Sequence, residues 1–125
     1  MTYILVAIAG FLGAVLRYSV GVLMYDADTF FPFSTLTVNL LGSFLLAWFT
    51  FKLFHDFHIS PKLKTAIGTG FVGSFTTFST LSVETVELAE RGSFLLAALY
   101  VAVSIAGGLL LSRAGFSLGK RRETA

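Results

Sequence analysis

Four long apolar blocks, separated by short polar connections, dominate this sequence. The blocks run from Tyr3 to Met24, from Leu36 to Leu53, from Lys64 to Val86 and from Phe94 to Leu111. A helix needs about 20 mostly apolar residues to cross the hydrocarbon core of a bilayer, so each block predicts a transmembrane helix. The connections are too short for a separate soluble domain. Residues 1–125 are therefore expected to form a single four-helix transmembrane domain of an all-α membrane protein.

The composition agrees with this and excludes several classes of function. Charged residues make up 13% of the chain, about half of what a soluble domain carries. There is no cysteine, which excludes disulfides, thiolate metal sites and cysteine nucleophiles. The net charge of +2 argues against a nucleic-acid-binding protein. No nucleophile with a base and an orienting group can be assembled, so we expect no enzyme. Arg17 interrupts the first block, which indicates a retained span rather than a cleaved leader.

Polar residues recur at helical spacing inside three of the blocks. Arg17 lies between Gly13 and Gly21 on one face of the first block. Asn39 is followed four residues later by Ser43, and Tyr100 is followed four residues later by Ser104. Such stripes are expected to face protein or water rather than lipid. Asn39 could equally serve as an interhelical hydrogen-bond partner.

The third block contains a segment that is poor material for a continuous helix. It reads Gly70-Phe-Val-Gly-Ser-Phe-Thr-Thr-Phe-Ser-Thr-Leu81. Hydroxyl groups at Thr76–Thr77 and at Ser79–Thr80 compete with helical hydrogen bonds, which predicts a break near the middle of the third helix. Irregular backbone at membrane depth is tolerated where it lines a cavity, and carbonyls freed by such breaks commonly hold Na⁺.

Three motifs in chain order resemble the CrcB/Fluc family of fluoride channels. They are GFLGAVLRY at 10–18, TLTVNLLGSF at 35–44 and GFVGSFTTFST at 70–80. The resemblance implies a fluoride-specific channel subunit that exports cytoplasmic fluoride passively and lowers toxic fluoride in the cell. It also implies an antiparallel dimer with two narrow fluoride paths and a structural Na⁺, which is not transported, at the dimer centre.

The resemblance assigns roles to individual residues. The backbone carbonyls of Gly73 and Thr76 would bind Na⁺. The fluoride path would include Arg17, Asn39, Phe78, Tyr100 and Ser104. The hydroxyls of Ser79 and Thr80 can also donate to a small, strongly hydrated anion, and the positive edge of an aromatic ring such as Phe78 can attract it.

Two positions depart from the family pattern. Leu81 stands where the family usually has a second pore phenylalanine, and Ser74 replaces a common glycine. Leu81 keeps open the alternative of a non-conducting partner subunit in a heterodimeric channel. A small multidrug or cation exporter is the other alternative, although the carboxylate that proton coupling needs is missing from the first two blocks.

The basic residues are distributed unequally between the two sides of the predicted bundle. With four spans, one side carries Lys52, Lys62, Lys64, Arg113, Lys120, Arg121 and Arg122, while the other carries Arg91. Basic residues in short loops favour the cytoplasm, which predicts a multi-pass plasma-membrane protein with both termini cytoplasmic. An antiparallel homodimer needs one chain inserted both ways, so this bias favours a heterodimer with a second CrcB/Fluc-type subunit. A homodimer stays possible.

For three further titratable residues, the sequence leaves two interpretations open. Glu84 follows the predicted break and could face the pore mouth or the membrane surface. His55 and His58 resemble a metal pair, but their spacing in a phenylalanine-rich loop is more typical of an interfacial turn.

Overall fold

A computed structural model describes residues 1–26 and 31–121, with side chains described up to residue 119. The described part is built from five helical elements: α1 (Thr2–Leu23), α2 (Phe33–Asp56), α3 (residues 61–75), α4 (Phe78–Glu90) and α5 (Phe94–Arg121). Two stretches are π-helical, Phe49–Leu53 within α2 and Ala66–Val72 within α3. The predicted all-α class is confirmed.

Three helices among the described residues are long and apolar enough to cross a membrane. They are Thr2–Leu23, Phe33–Asp56 and Phe94–Gly119. The third expected span is divided between α3 and α4, because the backbone of Thr76 and Thr77 is extended. The predicted break near the middle of this segment is confirmed, and a fourth crossing made by α3 and α4 together stays a prediction.

The connection between α2 and α3 is shorter than the polar segment 52–64 had predicted. The α2 helix continues to Asp56, and α3 begins at Pro61. The Ser60 side chain accepts a hydrogen bond from the backbone N–H of Leu63, and Pro61 occupies the first helical position. This serine–proline pair is a standard helix start, because proline lacks only an N–H that has no helical partner there.

The last helix is longer than predicted. Hydropathy placed its end at Leu111 and a polar tail from Arg113, but α5 continues to Arg121 and has 28 residues. At 1.5 Å per residue it is about 42 Å long, against a hydrocarbon thickness of about 30 Å. The extra turns pack on α2 through Gly115 and Gly119, where an added Cβ would lie 2.5 Å from the Phe44 carbonyl oxygen and 3.2 Å from Phe51, respectively. Tertiary packing therefore extends the helix beyond the apolar sequence.

The long elements alternate in direction. In the contact of α1 with α3, Gly10 lies beside Gly70 and Gly13 beside Phe71 and Ser74, so these helices run parallel. In the contact of α2 with α5, Leu40 lies beside Gly107 and Phe51 beside Gly119, so these helices also run parallel. Asn39 bonds Thr77 while Leu46 lies near Gly68, so α2 and α3 are antiparallel. The C-terminal ends of α2 and α5 consequently lie at the same end of the bundle as the start of α3.

Candidate functional site

The break between α3 and α4 is bridged by one side chain of α2. Asn39 Nδ2 donates to the Thr77 carbonyl oxygen at 3.0 Å, and Asn39 Oδ1 accepts from the Thr77 N–H at 2.8 Å. Thr77 is 8% exposed, so its peptide groups need protein partners. The interhelical role that the sequence had left open for Asn39 is therefore present in the structure.

The same bonds release two carbonyl groups at the break. In a continuous helix the Thr77 N–H would donate to Gly73 and the Thr80 N–H to Thr76. Here the Thr77 N–H donates to Asn39, and the Thr80 N–H donates to Thr77 Oγ1 at 3.2 Å. The carbonyls of Gly73 and Thr76 thus lose their helical donors, and these are the two carbonyls that the family resemblance assigns to Na⁺.

An open groove of about 400 Å³ runs beside the break, and we call it the central groove. Its lining includes Asn39, Gly73, Thr76, Thr77, Phe78, Leu81 and Ser104. The Phe78 side chain is 80% exposed in the single chain, and Gly73 is also exposed. Five of the predicted site residues are therefore brought together on a surface that this chain alone leaves uncovered.

Ser104 contributes an unused hydrogen-bonding group to the central groove. Within the part of the chain that the structure describes, its buried Oγ has no hydrogen-bond partner. A buried hydroxyl left in this state costs about 1–3 kcal/mol. An acceptor that enters the groove beside Ser104 would offset that cost.

A second hollow of about 230 Å³ lies on the other side of Thr77, and we call it the Arg17 pocket. It is lined by Ala14, Arg17, Tyr18, Ser34, Thr35, Val38, Thr77 and Thr80. Thr77 lines both hollows. The broken helix thus stands between a pocket that carries a guanidinium group and a groove that carries an unpartnered hydroxyl.

Two predicted path residues line neither the central groove nor the Arg17 pocket. Tyr100 is fully buried in a cluster with Leu88 and Ala97, and its hydroxyl donates to Glu84 Oε1 at 3.2 Å. Glu84 is half-buried, so it lies between helices with Tyr100 as its partner rather than standing free at the membrane surface. Ser79 is exposed, and its Oγ lies 3.3 Å from Thr77 Oγ1.

The face of α3 opposite the central groove is closed against α1. Ser74 Oγ lies 2.6 Å from the Gly10 carbonyl oxygen on α1 and 2.9 Å from the Gly70 carbonyl oxygen on its own helix. A Cβ added at Gly13 would overlap the Phe71 carbonyl oxygen and Ser74 Oγ. In the sequence, Ser74 stands out only as a departure from the family pattern. The glycines of α1 were the signal that a close helix contact lies here.

Among the described residues, no group of three or more His, Asp or Glu side chains could hold a metal ion. His55 Nδ1 lies 3.6 Å from Asp56 Oδ1 at the end of α2. His58 has a φ of 46° in the turn that follows. Both histidines are exposed, His55 in the last turn of α2 and His58 in the turn that follows.

Comparisons with known proteins match nearly the whole chain. The family model described as CrcB-like protein, Camphor Resistance (CrcB), matches residues 4–116. A fluoride-specific ion channel FluC 1 of Desulfitobacterium hafniense (strain Y51) is 59% identical over 108 residues, which cover 86% of this chain and 94% of the relative. A fluoride-specific ion channel FluC 2 of Geobacillus kaustophilus (strain HTA426) is 53% identical over 118 residues, covering 94% and 92%. A FluC 2 protein of Listeria innocua serovar 6a is 44% identical over 115 residues, covering 92% and 88%.

Proposed function

The chain belongs to the CrcB-like family, and from this premise we propose that it is a subunit of a fluoride-specific channel that lets cytoplasmic fluoride leave the cell passively. The names of its relatives, which are fluoride-specific ion channels, support the proposal. So does the polar lining of the two hollows at the break.

One observation carries the proposal: Thr77 lines both the Arg17 pocket and the central groove. A path through the subunit would begin at the guanidinium group of Arg17, pass the hydroxyls of Thr77 and Thr80, and continue to Ser104. Arg17 would concentrate anions at the first hollow. Hydroxyl and amide donors would then replace the water molecules that fluoride sheds.

Three side chains would contact the ion in the central groove. Asn39 uses one bond of Nδ2 to hold Thr77, and its second N–H hydrogen is still free to donate. Ser104 offers the hydroxyl described above, and Phe78 offers a ring edge of positive potential. A larger, less strongly hydrated halide gains less from such donors, so chloride would be excluded.

Sodium fits the released carbonyls of Gly73 and Thr76. Carbonyl oxygens at broken membrane helices are typical Na⁺ ligands. A bound Na⁺ would supply a fixed positive charge, while Asn39 and Thr77 keep the two carbonyls out of helical bonds. Because each chain contributes few ligands, a second subunit would complete the site.

The second subunit would cover the exposed central groove. The basic residues at the shared end of α2, α3 and α5 favour a fixed orientation with both termini in the cytoplasm of a plasma-membrane protein. We propose a heterodimer with a second CrcB/Fluc-type chain of reversed bias, with an antiparallel homodimer as the alternative. A C-terminal topology reporter tests this: a purely cytoplasmic signal supports the heterodimer, and equal populations on both sides contradict it.

Leu81 supports a second candidate function, that of a partner subunit which does not conduct through its own path. Leu81 lines the central groove and also packs against the cluster around Tyr100. It gives the groove no aromatic edge at that position. In this case only paths lined by the partner's rings would carry fluoride.

Fluoride efflux from vesicles tests the proposal. The purified chain is reconstituted alone and together with any second four-span chain encoded beside it, and efflux is followed with a fluoride electrode. We expect efflux down the gradient without a proton gradient, and no comparable chloride efflux. Equal chloride efflux, or a requirement for a proton gradient, would contradict the channel. Fluoride efflux only in the presence of the second chain would support the partner-subunit alternative.

A further inference from the structure

The end of the molecule where α2 and α5 terminate carries most of its positive charge. We call it the basic end, and among the residues with described side chains it comprises Lys52, Lys62, Lys64 and Arg113. Asp56 is the one acidic residue with a described side chain there, and His55 lies beside it. The opposite end holds Asp26, Glu84, Glu87 and Glu90 together with Arg91. The net charge of +2 therefore conceals a strongly polarised molecule.

At the basic end, α5 packs closely on α2. A Cβ added at Gly119 of α5 would lie 3.2 Å from Phe51 and 3.3 Å from the backbone nitrogen of Lys52 on α2. The rings of Phe51 and Phe116 meet edge to face with centroids 4.3 Å apart. The two helices thus pack tightly beside Lys52, at the end of the apolar spans.

Exposed apolar side chains lie among these basic residues. Phe57 is 68% exposed, Leu118 is 47% exposed and Leu63 is 41% exposed. Lys52 Nζ lies 4.8 Å from the centroid of the Trp48 ring, an arrangement typical of a side chain at a membrane interface. Basic groups mixed with apolar groups at the end of membrane helices match a lipid surface better than an acidic soluble protein, which would leave the apolar groups exposed.

We propose that the basic end is a binding surface for anionic phospholipid headgroups. Each basic side chain close to an anionic bilayer surface contributes about 1 kcal/mol, which corresponds to about a fivefold preference. The proposal is independent of fluoride conduction, since none of its residues lines the central groove or the Arg17 pocket. Bound anionic lipid would hold this end in the leaflet richest in such lipid.

Trp48 is the natural probe, because the chain contains one tryptophan and it lies at the basic end beneath Lys52. The full chain is placed in bilayers containing brominated phosphatidylglycerol or brominated phosphatidylcholine, and quenching of Trp48 fluorescence gives the relative binding constant of the two lipids. We expect a preference of at least about fivefold for the anionic lipid, the effect of one basic side chain.

Substitution identifies the residues. The double variant Lys62→Gln with Lys64→Gln changes only exposed side chains, and adding Lys52→Gln gives the triple variant. The preference should fall in the double variant and fall further in the triple variant, in which Arg113 is still present. Arg91→Gln, at the opposite end, should keep the full preference. Equal quenching by both lipids in the unmodified chain, or a triple variant that keeps its preference, would overturn the proposal.

A free-anion control separates lipid from other sources of phosphate. Inorganic phosphate at millimolar concentration should leave the quenching preference unchanged. Loss of the preference would show that the basic end binds soluble anions instead. Lipid preference in a protein that shows no fluoride efflux would support this surface while contradicting the proposed channel, so the two failures are distinguishable.

Discussion

The two faces of the segment 70–77 border similar hydroxyl groups in opposite states. Toward α1, the Ser74 hydroxyl lies 2.6 Å from the Gly10 carbonyl oxygen in a contact too close for any side chain at Gly13. Toward α2 and α5, the segment borders the central groove, and among the described residues the buried Ser104 Oγ has no partner. On the closed face the serine hydroxyl is hydrogen-bonded, and at the open face it is not.

The difference shows how to separate structural from functional polar groups in a chain rich in both. A hydroxyl that bonds a neighbouring helix stabilises the bundle. A buried hydroxyl without a partner costs stability, and one that lies beside a cavity is a candidate contact for a ligand or a water molecule. We therefore propose that Ser74 serves packing and that Ser104 lies on the ion path. The predictions below test this contrast in order of decreasing loss of stability.

Asn39 hydrogen-bonds the peptide groups of Thr77 at the break and also lines the central groove. Its substitution should therefore have the largest effect on stability. Asn39→Leu leaves the carbonyl of Thr77 without its side-chain donor, at a cost of about 1–3 kcal/mol, and it frees the Thr77 N–H. It should also let the Gly73 carbonyl recover its helical bond, removing the proposed Na⁺ ligand. We expect a lower melting temperature and loss of fluoride efflux.

Thr37→Ala is the matched control for Asn39. Thr37 Oγ1 donates to the Phe33 carbonyl oxygen within α2 itself, so its removal should change neither the melting temperature nor the efflux appreciably. If Asn39→Leu behaved like Thr37→Ala, the bridge across the break would have no structural importance.

Gly13→Ala tests the close contact between α1 and α3 directly. The added methyl group would overlap the Phe71 carbonyl oxygen, and such overpacking costs about 1–3 kcal/mol. Thermal unfolding in detergent measures the effect. Gly21→Ala on the same helix is the control, because no described atom lies within 4 Å of a Cβ built there. Equal melting temperatures for the two variants would contradict the claim that the α1–α3 contact at Gly13 is too close for a side chain.

Ser74→Ala should have a smaller effect on stability. It removes one interhelical hydrogen bond, which is worth about 0.6–2 kcal/mol in membrane proteins. The variant should unfold at a lower temperature but conduct fluoride at nearly the rate of the unmodified chain. A large loss of efflux at a preserved melting temperature would place Ser74 in the ion path instead.

Much of this arrangement is readable from the sequence. The apolar blocks predict the long helices, and the run of hydroxyl residues predicts the break at Thr76–Thr77, because both depend on local chemistry. The helix ends near Asp56 and Arg121 were misplaced, since hydropathy does not report the packing of Gly115 and Gly119 on α2. The burial of Tyr100 against Glu84 was missed for the same reason: side chains sixteen residues apart meet only through the α4–α5 packing.

The family resemblance is confirmed by the comparisons, while the ion-binding roles of individual residues stay predictions. The family resemblance places Asn39, Phe78 and Ser104 in one path, and the structure brings them to one groove. The motifs did not show that Asn39 redirects a backbone donor. That inference depends on which N–H group bonds which oxygen, and those bonds form only in the folded chain.

Fluoride efflux of Ser104→Ala compared with Ser74→Ala, in vesicles of the same composition and protein density, tests the central claim most directly. A hydrogen bond to an ion contributes about 1.5–3 kcal/mol, so Ser104→Ala should slow efflux about tenfold or more, while Ser74→Ala should stay within about twofold of the unmodified chain, an effect below 0.5 kcal/mol. Unchanged efflux in Ser104→Ala, together with slow efflux in Ser74→Ala, would contradict the assignment of the open face to fluoride.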